Sequence, residues 1–197
     1  MGCRRITTNA VFAGALVLAV GGARAADPTP PSRLTAEFVM ERTLKVLSDT
    51  VSSSGRMVMG GPGLLRWEMT KPSRSLLLIA KGRATIHYPD LGITKTFDLA
   101  SDPVMRVMSE HLLALTSGAW DRLAALYEVT VLDGGVRRLV PRETAVRQVF
   151  SEIRVSLGQG GVVSWVELVS PSGDLTRITF SSVRLNPELP AGYFEKP

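Results

Sequence analysis

The stretch that decides the fold is residues 53–72, SSGRMVMGGPGLLRWEMTKP. Apolar and polar side chains alternate in both of its halves, and a period of two is typical of strands that bury one face. Glycine and proline at residues 60–63 separate the halves and favour a tight turn. The stretch therefore predicts an antiparallel strand pair. Its inward-facing side chains are predicted to be Met57, Met59, Leu65, Trp67 and Met69.

Strand signals continue along the rest of the chain. Eight further strands, bounded by residues that tolerate turns, are predicted at 75–80, 84–88, 93–99, 127–132, 136–141, 148–156, 162–169 and 175–182. Residues 37–46 fit either a strand or a helix, because Phe38, Met40 and Leu44 share one parity while Leu34 and Phe38 could also share a helical face. Short strands at regular spacing predict one large curved antiparallel sheet or an open barrel.

One long helix is predicted between the strands. Asp102 and Pro103 are typical of a helix start, and an apolar stripe then continues to Gly118, with a shorter helix at residues 121–126. The stripe includes Val104, Met105, Met108, Leu112 and Leu115. Such a helix has the open face of the sheet to pack on, either as a movable lid or as a permanent core helix. The predicted fold class is mainly β with α (α+β), an open, incomplete antiparallel β-barrel with a helix over its face.

The N-terminal residues have the features of a secretory signal peptide. Two arginines near the start precede an apolar run at residues 11–20 and an Ala-Arg-Ala sequence at residues 23–25, which fits a signal-peptidase site. We expect cleavage before Ala26, so that residues 1–25 are the signal peptide and residues 26–197 are a single exported, soluble domain. The twin arginines leave the export route open between Sec and Tat.

Charge and cysteine content exclude several classes of protein. The chain carries 23 basic and 18 acidic residues, a formal net charge of +5. Three of the basic residues lie in the predicted signal peptide, which leaves 20 against 18 and a net charge of +2. This balance argues against nucleic acid as a partner. The single cysteine, Cys3, also lies in the predicted signal peptide, so the mature chain has no disulfide, thiolate nucleophile or lipid-attachment cysteine.

A search of the sequence for catalytic and metal-binding motifs finds none. Zinc-protease, nucleophile-elbow, P-loop and complete dinucleotide-binding patterns are all missing. The two histidines are interpreted as structural, His87 as a half-exposed strand residue and His111 as a boundary residue of the helix. Asp98 and Asp102 flank a turn, where Asp102 is explained more simply as a helix N-cap. We therefore expect no enzyme activity, no cofactor and no metal site.

Several weak motifs follow one another in a fixed order along the predicted mature chain. The first is formed by Leu65, Arg66, Trp67, Glu68, Met69, Thr70 and Pro72. It is followed by residues 76–90, 139–141 and 171–174, and then by Phe194, Lys196 and Pro197. Together these motifs resemble the outer-membrane lipoprotein carrier family, the LolA family, over most of the mature chain. The resemblance favours a strand for residues 37–46.

The resemblance implies a periplasmic, non-enzymatic carrier of lipids. The helix at residues 104–115 would be a movable lid over an apolar cavity that binds the acyl chains of lipoproteins. The implied partners are an inner-membrane ABC lipoprotein exporter as donor and an outer-membrane lipoprotein receptor as acceptor, and we expect the carrier to be a monomer. The implied lipid-binding residues are Met57, Met59, Leu65, Trp67, Met69, Val104, Met105, Met108, Leu112 and Leu115. The lack of a cysteine after the predicted cleavage site favours the diffusible carrier over the related lipid-anchored receptor.

The sequence departs from the family pattern at two places. Only about ten residues separate Ala26 from Ala36, too few for the long N-terminal helix of most members. Many members also have an arginine just before the corner proline, which is implied to hold the empty cavity shut. The matching residue here is Gly61, so the resemblance predicts a lid that opens more readily.

Alternatives stay open for the role of the methionines, for the function and for the cargo. Six methionines beyond the initiator lie on the first strands or on the long helix, where flexible thioethers suit variable apolar guests but also fill gaps in ordinary cores. A periplasmic lipid-binding or lipoprotein-binding sensor, or a structural module of the same superfold, stays open as an alternative function. So does a carrier of a different lipid.

Overall fold

The computed structural model describes residues 32–45 and 49–197. In this part the chain forms strands and helices with the following bounds. The strands are β1 (Leu34–Thr43), β2 (Thr50–Gly61), β3 (Leu64–Lys71), β4 (Ser75–Ala80), β5 (Arg83–Tyr88), β6 (Ile93–Asp98), β7 (Tyr127–Val131), β8 (Arg137–Pro141), β9 (Glu152–Leu157), β10 (Val163–Val169) and β11 (Leu175–Leu185). The helices are α1 (Pro103–Ser117), α2 (Trp120–Leu126) and α3 (Thr144–Arg147). The predicted signal peptide and the segment directly after it lie outside the described residues.

All these strands belong to one antiparallel sheet with two open edges. Their order is β6-β5-β4-β3-β2-β1-β11-β10-β9-β8-β7. Each strand pairs with its neighbour in sequence except at the centre, where β1 pairs with β11. The edge strands β6 and β7 do not pair with each other, and α1 and α2 form the connection between them. The predicted fold class, mainly β with a helix across an open barrel, is confirmed.

The strand pair predicted from residues 53–72 is present as β2 and β3. Met57 lies opposite Trp67 in the register, and Met59 lies opposite Leu65. The same face of the pair therefore carries the apolar side chains of both strands, as the alternation in the sequence predicts.

The glycine at the start of this stretch allows two strands to pack closely. A Cβ at Gly55 would lie 1.8 Å from the backbone oxygen of Glu68 and 2.8 Å from the ring of Phe38. Phe38, on β1, instead packs its ring against Trp67 of β3, with 4.4 Å between the ring centroids. A side chain at position 55 would therefore displace the aromatic pair at the centre of the sheet.

The structure corrects several predicted boundaries. β9 begins at Glu152 rather than at residue 148, because the unpredicted helix α3 lies just before it. Val146 of α3 is buried, and its carbonyl accepts a hydrogen bond from the Phe150 N–H at 2.8 Å. This segment therefore packs as a helical turn. The ambiguous segment at 37–46 is a strand in its described part, β1, which starts at Leu34.

Helix α1 covers one face of the sheet, here called the concave face. Met105, Leu112 and Leu113 of α1 pack against an apolar cluster from β1–β5. Ala114 and Leu115 belong to a second cluster, which includes buried residues of β7–β10. A single helix contacts both halves of the sheet, so the sheet must curve around it.

The caps of α1 match the sequence signals. Asp102 Oδ1 accepts a hydrogen bond from the Met105 N–H at 2.9 Å, and Pro103 occupies the first turn. Gly118 ends the helix in the left-handed conformation with φ of 65°. Asp102 therefore satisfies a free backbone donor of the first turn, as its prediction as an N-cap requires.

The opposite, convex face is partly covered by the C-terminal residues. Leu76, Leu78 and Ala80 of β4 are buried there and pack with Phe194. Arg66 extends this contact, because one of its guanidinium N–H groups donates to the Lys196 carbonyl at 2.8 Å. The C-terminal segment therefore covers the part of the convex face formed by β4.

Candidate binding cavity

An apolar cavity of about 290 Å³ lies between α1 and the concave face. Its sheet side is lined by Leu77, Ile86, Tyr127, Ile153 and Leu168, together with Val146 and Phe150 next to β9. These residues come from strands near both edges, so the edges curve toward each other across the cavity. The polar groups of the lining belong to Ser109, His111 and Tyr127. The space suits an apolar guest with little polar character.

The residues predicted on the helix lie at different places around the cavity. Met105, Met108, Leu112 and Leu115 line it. Val104 is 69% exposed and is not among the lining residues. The four lining residues are therefore the part of the predicted set on α1 that can contact a guest in this conformation.

The residues predicted on the strands lie on the concave face beside the cavity. Met57, Met59 and Leu65 are fully buried in the apolar cluster of β1–β5, and Trp67 and Met69 pack against that cluster. Helix α1 packs on the same cluster. None of these five residues lines the cavity under α1 in this conformation, and their role in lipid binding stays a prediction.

A histidine and a tyrosine join α1 to the edge strand β7 inside the cavity. His111 Nδ1 lies 2.5 Å from the Tyr127 hydroxyl, and the two rings are nearly perpendicular. His111 is only 5% exposed and Tyr127 is fully buried. Burial lowers the pKa of His111, although Glu143 and Glu110 act in the opposite direction, and it raises the pKa of the Tyr127 phenol far above its usual value. Both side chains are therefore neutral at pH 7.

The prediction that His111 is a boundary residue is wrong. A polar residue next to Glu110 is expected to be half-exposed. His111, however, follows Met108 by three positions and precedes Leu115 by four. That spacing puts it on the cavity side of the helix. The signal was therefore present in the sequence. Tyr127 was assigned only as the start of a strand.

Charged side chains lie mainly on the convex face. Glu68 is paired with Arg56 and with Arg66, whose Nε is 2.6 Å from a Glu68 carboxylate oxygen. Burial acts to raise the pKa of Glu68, but the hydrogen bonds from the two arginines outweigh it and hold the pKa below its usual range. His87 is half-buried, as predicted, with Nδ1 2.8 Å from the Thr94 hydroxyl of the neighbouring strand.

Two other features, a metal site and a membrane-spanning helix, are not found in residues 32–45 and 49–197. No group of three or more His, Cys, Asp or Glu residues in this part of the chain is arranged to hold a metal ion. None of the helices described there is long and apolar enough to cross a membrane.

Comparison with known proteins connects this geometry to a family. The sequence model of the family described as "Outer membrane lipoprotein carrier protein LolA" matches residues 32–196. The chain belongs to the LolA family. The suspected resemblance is therefore confirmed, and the matched range includes every strand and helix described above.

Named relatives of the LolA family are similar at low identity. An outer-membrane lipoprotein carrier protein of Azotobacter vinelandii is 27% identical over 148 residues, which are 73% of this chain and 67% of that protein. Its counterpart in Pseudomonas fluorescens is 24% identical over 181 residues, 86% of this chain and 84% of that protein. A crystal structure of a LolA superfamily protein from Nitrosomonas europaea aligns with a TM-score of 0.46 and 11% identity, covering 86% of this chain and 93% of that chain.

The position at which the LolA pattern has an arginine lies beside the end of α1. Gly61 ends β2 with φ of +121°. It lines a second pocket of about 300 Å³ together with Leu113 and Ser117 of α1 and Arg122 of α2. A residue with a side chain is strained at this φ, so Gly61→Arg would change the backbone as well as the charge. A role of Gly61 in lid control stays a prediction.

Proposed function

We propose that this protein is a periplasmic carrier that binds the acyl chains of lipoproteins between α1 and the concave face of the sheet. The observation that carries the proposal is the apolar cavity under α1 in a chain of the LolA family. The relatives that bear the name outer-membrane lipoprotein carrier protein support lipoproteins as the cargo.

The size of the cavity implies that α1 moves when cargo binds. A volume of about 290 Å³ is at the lower end of the roughly 300–1,000 Å³ of typical ligand pockets. Apart from the His111–Tyr127 hydrogen bond, the contact of α1 with the sheet is mainly apolar and therefore non-directional. The helix can therefore separate from the sheet and exchange its own side chains for acyl chains at the same surface.

The energetics of acyl chains require direct transfer between partners. At about 0.8 kcal/mol per buried CH₂, three chains of ~16 carbons exposed to water would cost about 38 kcal/mol. Non-covalent affinities saturate near roughly 20 kcal/mol. A carrier therefore has to receive the chains from one apolar site and release them into another. We propose an inner-membrane ABC exporter as donor and an outer-membrane lipoprotein receptor as acceptor, with a monomeric carrier passing between them.

The proposal is tested by identifying the molecules that the protein carries and by measuring its binding of an acyl probe. Mass spectrometry of solvent extracts from protein isolated from its own periplasm should find acylated peptides or proteins in a fixed ratio to the carrier. The recombinant protein should bind a fluorescent fatty-acyl probe. An extract without acylated species, together with no binding of the probe, would overturn the proposal.

A matched pair of substitutions on α1 locates the binding surface. Leu112→Glu places a carboxylate in the half-buried lining of the cavity, where an unpaired charge is heavily penalised, and should weaken binding of the acyl probe by at least about tenfold. Val104→Glu, two turns earlier on the helix and 69% exposed, should bind the probe like the wild type. Equal affinity of the two variants would place the binding surface elsewhere.

A further inference from the structure

One residue of the cavity lining carries a polar atom that has no hydrogen-bond partner among the residues that the structure describes. His111 is only 5% exposed and lines the cavity, and its Nδ1 is engaged by the Tyr127 hydroxyl. Its second ring nitrogen, Nε2, is buried without an acceptor or donor at hydrogen-bond distance. An unsatisfied buried polar group is unfavourable. Because His111 lines the cavity, a guest that enters beside α1 and displaces the covering side chains can satisfy Nε2.

The hydrogen bond between His111 and Tyr127 determines whether Nε2 is a donor or an acceptor. The Tyr127 phenol stays protonated because burial raises its pKa, so its O–H needs an acceptor. If this O–H donates to His111 Nδ1, the neutral imidazole carries its proton on Nε2. The reverse tautomer would leave both the tyrosine proton and Nε2 unsatisfied. His111 therefore presents an N–H donor.

We propose that His111 Nε2 donates a hydrogen bond to the carbonyl oxygen of a bound acyl group, so that the cavity selects chains that carry an ester or carboxyl group over plain alkyl chains. This inference rests on the proposed carrier function and names the chemistry that the site recognises. The apolar lining holds the chain, and His111 sets the position of its polar end. Free fatty acids and esterified chains share this carbonyl group.

The test compares ligands that differ in their polar end. Methyl laurate, laurate and dodecane are titrated as competitors of the fluorescent probe N-phenyl-1-naphthylamine. The variant is His111→Phe combined with Tyr127→Phe, because removing both partners leaves no orphaned hydroxyl. The control is Leu112→Ala, which shortens an apolar side chain of the same lining and should weaken all three ligands in parallel.

The double variant should bind methyl laurate about fivefold more weakly than the wild type, the loss expected for one hydrogen bond of typical net strength. It should bind dodecane no more weakly, because both replacements keep an apolar ring in the lining, and an equal affinity for methyl laurate in the variant and the wild type would overturn the inference. A loss for laurate as well extends the recognition to free fatty acids, whereas a loss for methyl laurate alone restricts it to esterified chains. A loss for laurate alone restricts it to free fatty acids. A parallel change for all three ligands would overturn the inference while leaving the carrier function intact.

A measurement on the wild-type protein tests the same inference even if the double variant does not fold. The ¹⁵N resonance of His111 Nε2 should show a protonated nitrogen in the free protein and should shift on addition of methyl laurate but not of dodecane. Identical responses to both ligands would overturn the inference. If the wild type binds none of the three ligands, the proposed function fails with it.

Discussion

His111 couples the protonation of one side chain to the stability of the fold. Burial lowers its pKa, while Glu143 and Glu110 attract the proton and oppose that shift. From β7 it is faced by the Tyr127 hydroxyl, which stays protonated because burial raises its pKa. The folded protein therefore binds a proton at His111 less readily than the unfolded chain does.

The free energy of unfolding should fall as the pH falls below about 6.5, the ordinary pKa of histidine. Because the unfolded chain binds more protons in this range, stability rises with pH, and the loss on acidification ends near the lowered pKa of the folded state. Urea unfolding from about pH 5 to about pH 8 measures it. The variant His111→Phe with Tyr127→Phe should show a flatter dependence, and an identical slope would contradict the assignment.

Single residues were predictable where the period of a strand decided their orientation. The inward positions of β2 and β3 follow from alternation, and Met57, Met59 and Leu65 are buried as it predicts, although Val58 on the other face is buried as well. His111 was missed because its polarity was weighed above its spacing from Met108. Val104 lies one helical turn, four residues, before Met108 yet is exposed, because it lies in the first turn of α1, where the chain leaves the edge strand. Burial along a helix depends on what lies opposite, which the sequence does not contain.

Helix α1 depends on its N-cap for the order of its first turn. Asp102→Ala removes the acceptor for the Met105 N–H and should destabilise the protein by about 1 kcal/mol. Hydrogen exchange should become faster in the first turns of α1. Asp121→Ala in the first turn of α2, where no side chain caps the helix, is the control and should leave α1 unchanged. Equal exchange of α1 in the two variants would mean that packing on the sheet alone orders this end.

Whole elements were predictable when their pattern was long and local. The turns and strands of β4 to β6, and α1 with its two caps, follow from short-range signals in the sequence. Helix α3 was missed because four residues are too short for a helical period to appear. The apolar residues around it were therefore assigned to an early start of β9.

Contacts on the convex face stabilise the fold without lining the cavity. Phe194→Ala removes the ring that covers Leu76 and Leu78 on the convex face and should destabilise the protein by about 2 kcal/mol, less than for a fully buried ring. Acyl binding should be unchanged, because Leu77, which lines the cavity, points to the other face.

Denaturant unfolding and titration of the acyl probe check both parts of this expectation. Glu195→Ala, which removes an exposed pair with Lys81, is the control and should change stability by less than about 1 kcal/mol. Weaker acyl binding in the Phe194→Ala protein, measured where it is still folded, would contradict the separation of the two faces.

The architecture of the whole sheet was predictable only in outline. A meander of short strands indicates an open barrel, but the pairing of β1 with β11 joins residues far apart in sequence, and no local pattern marks it. The covering of the convex face by the C-terminal residues was missed for the same reason. The cavity itself depends on how far the two edges curve, which is a property of all the strands together.

The central position of β1 and β11 has a consequence for the order in which the protein can fold during synthesis. Their pairing includes a hydrogen bond from the Ser182 hydroxyl to Glu37 across 145 residues. Closing so long a loop is slow, and β1 has no partner on this side before the last strand has left the ribosome. The pairing that joins the two halves of the sheet can therefore form only after β11 has been synthesised.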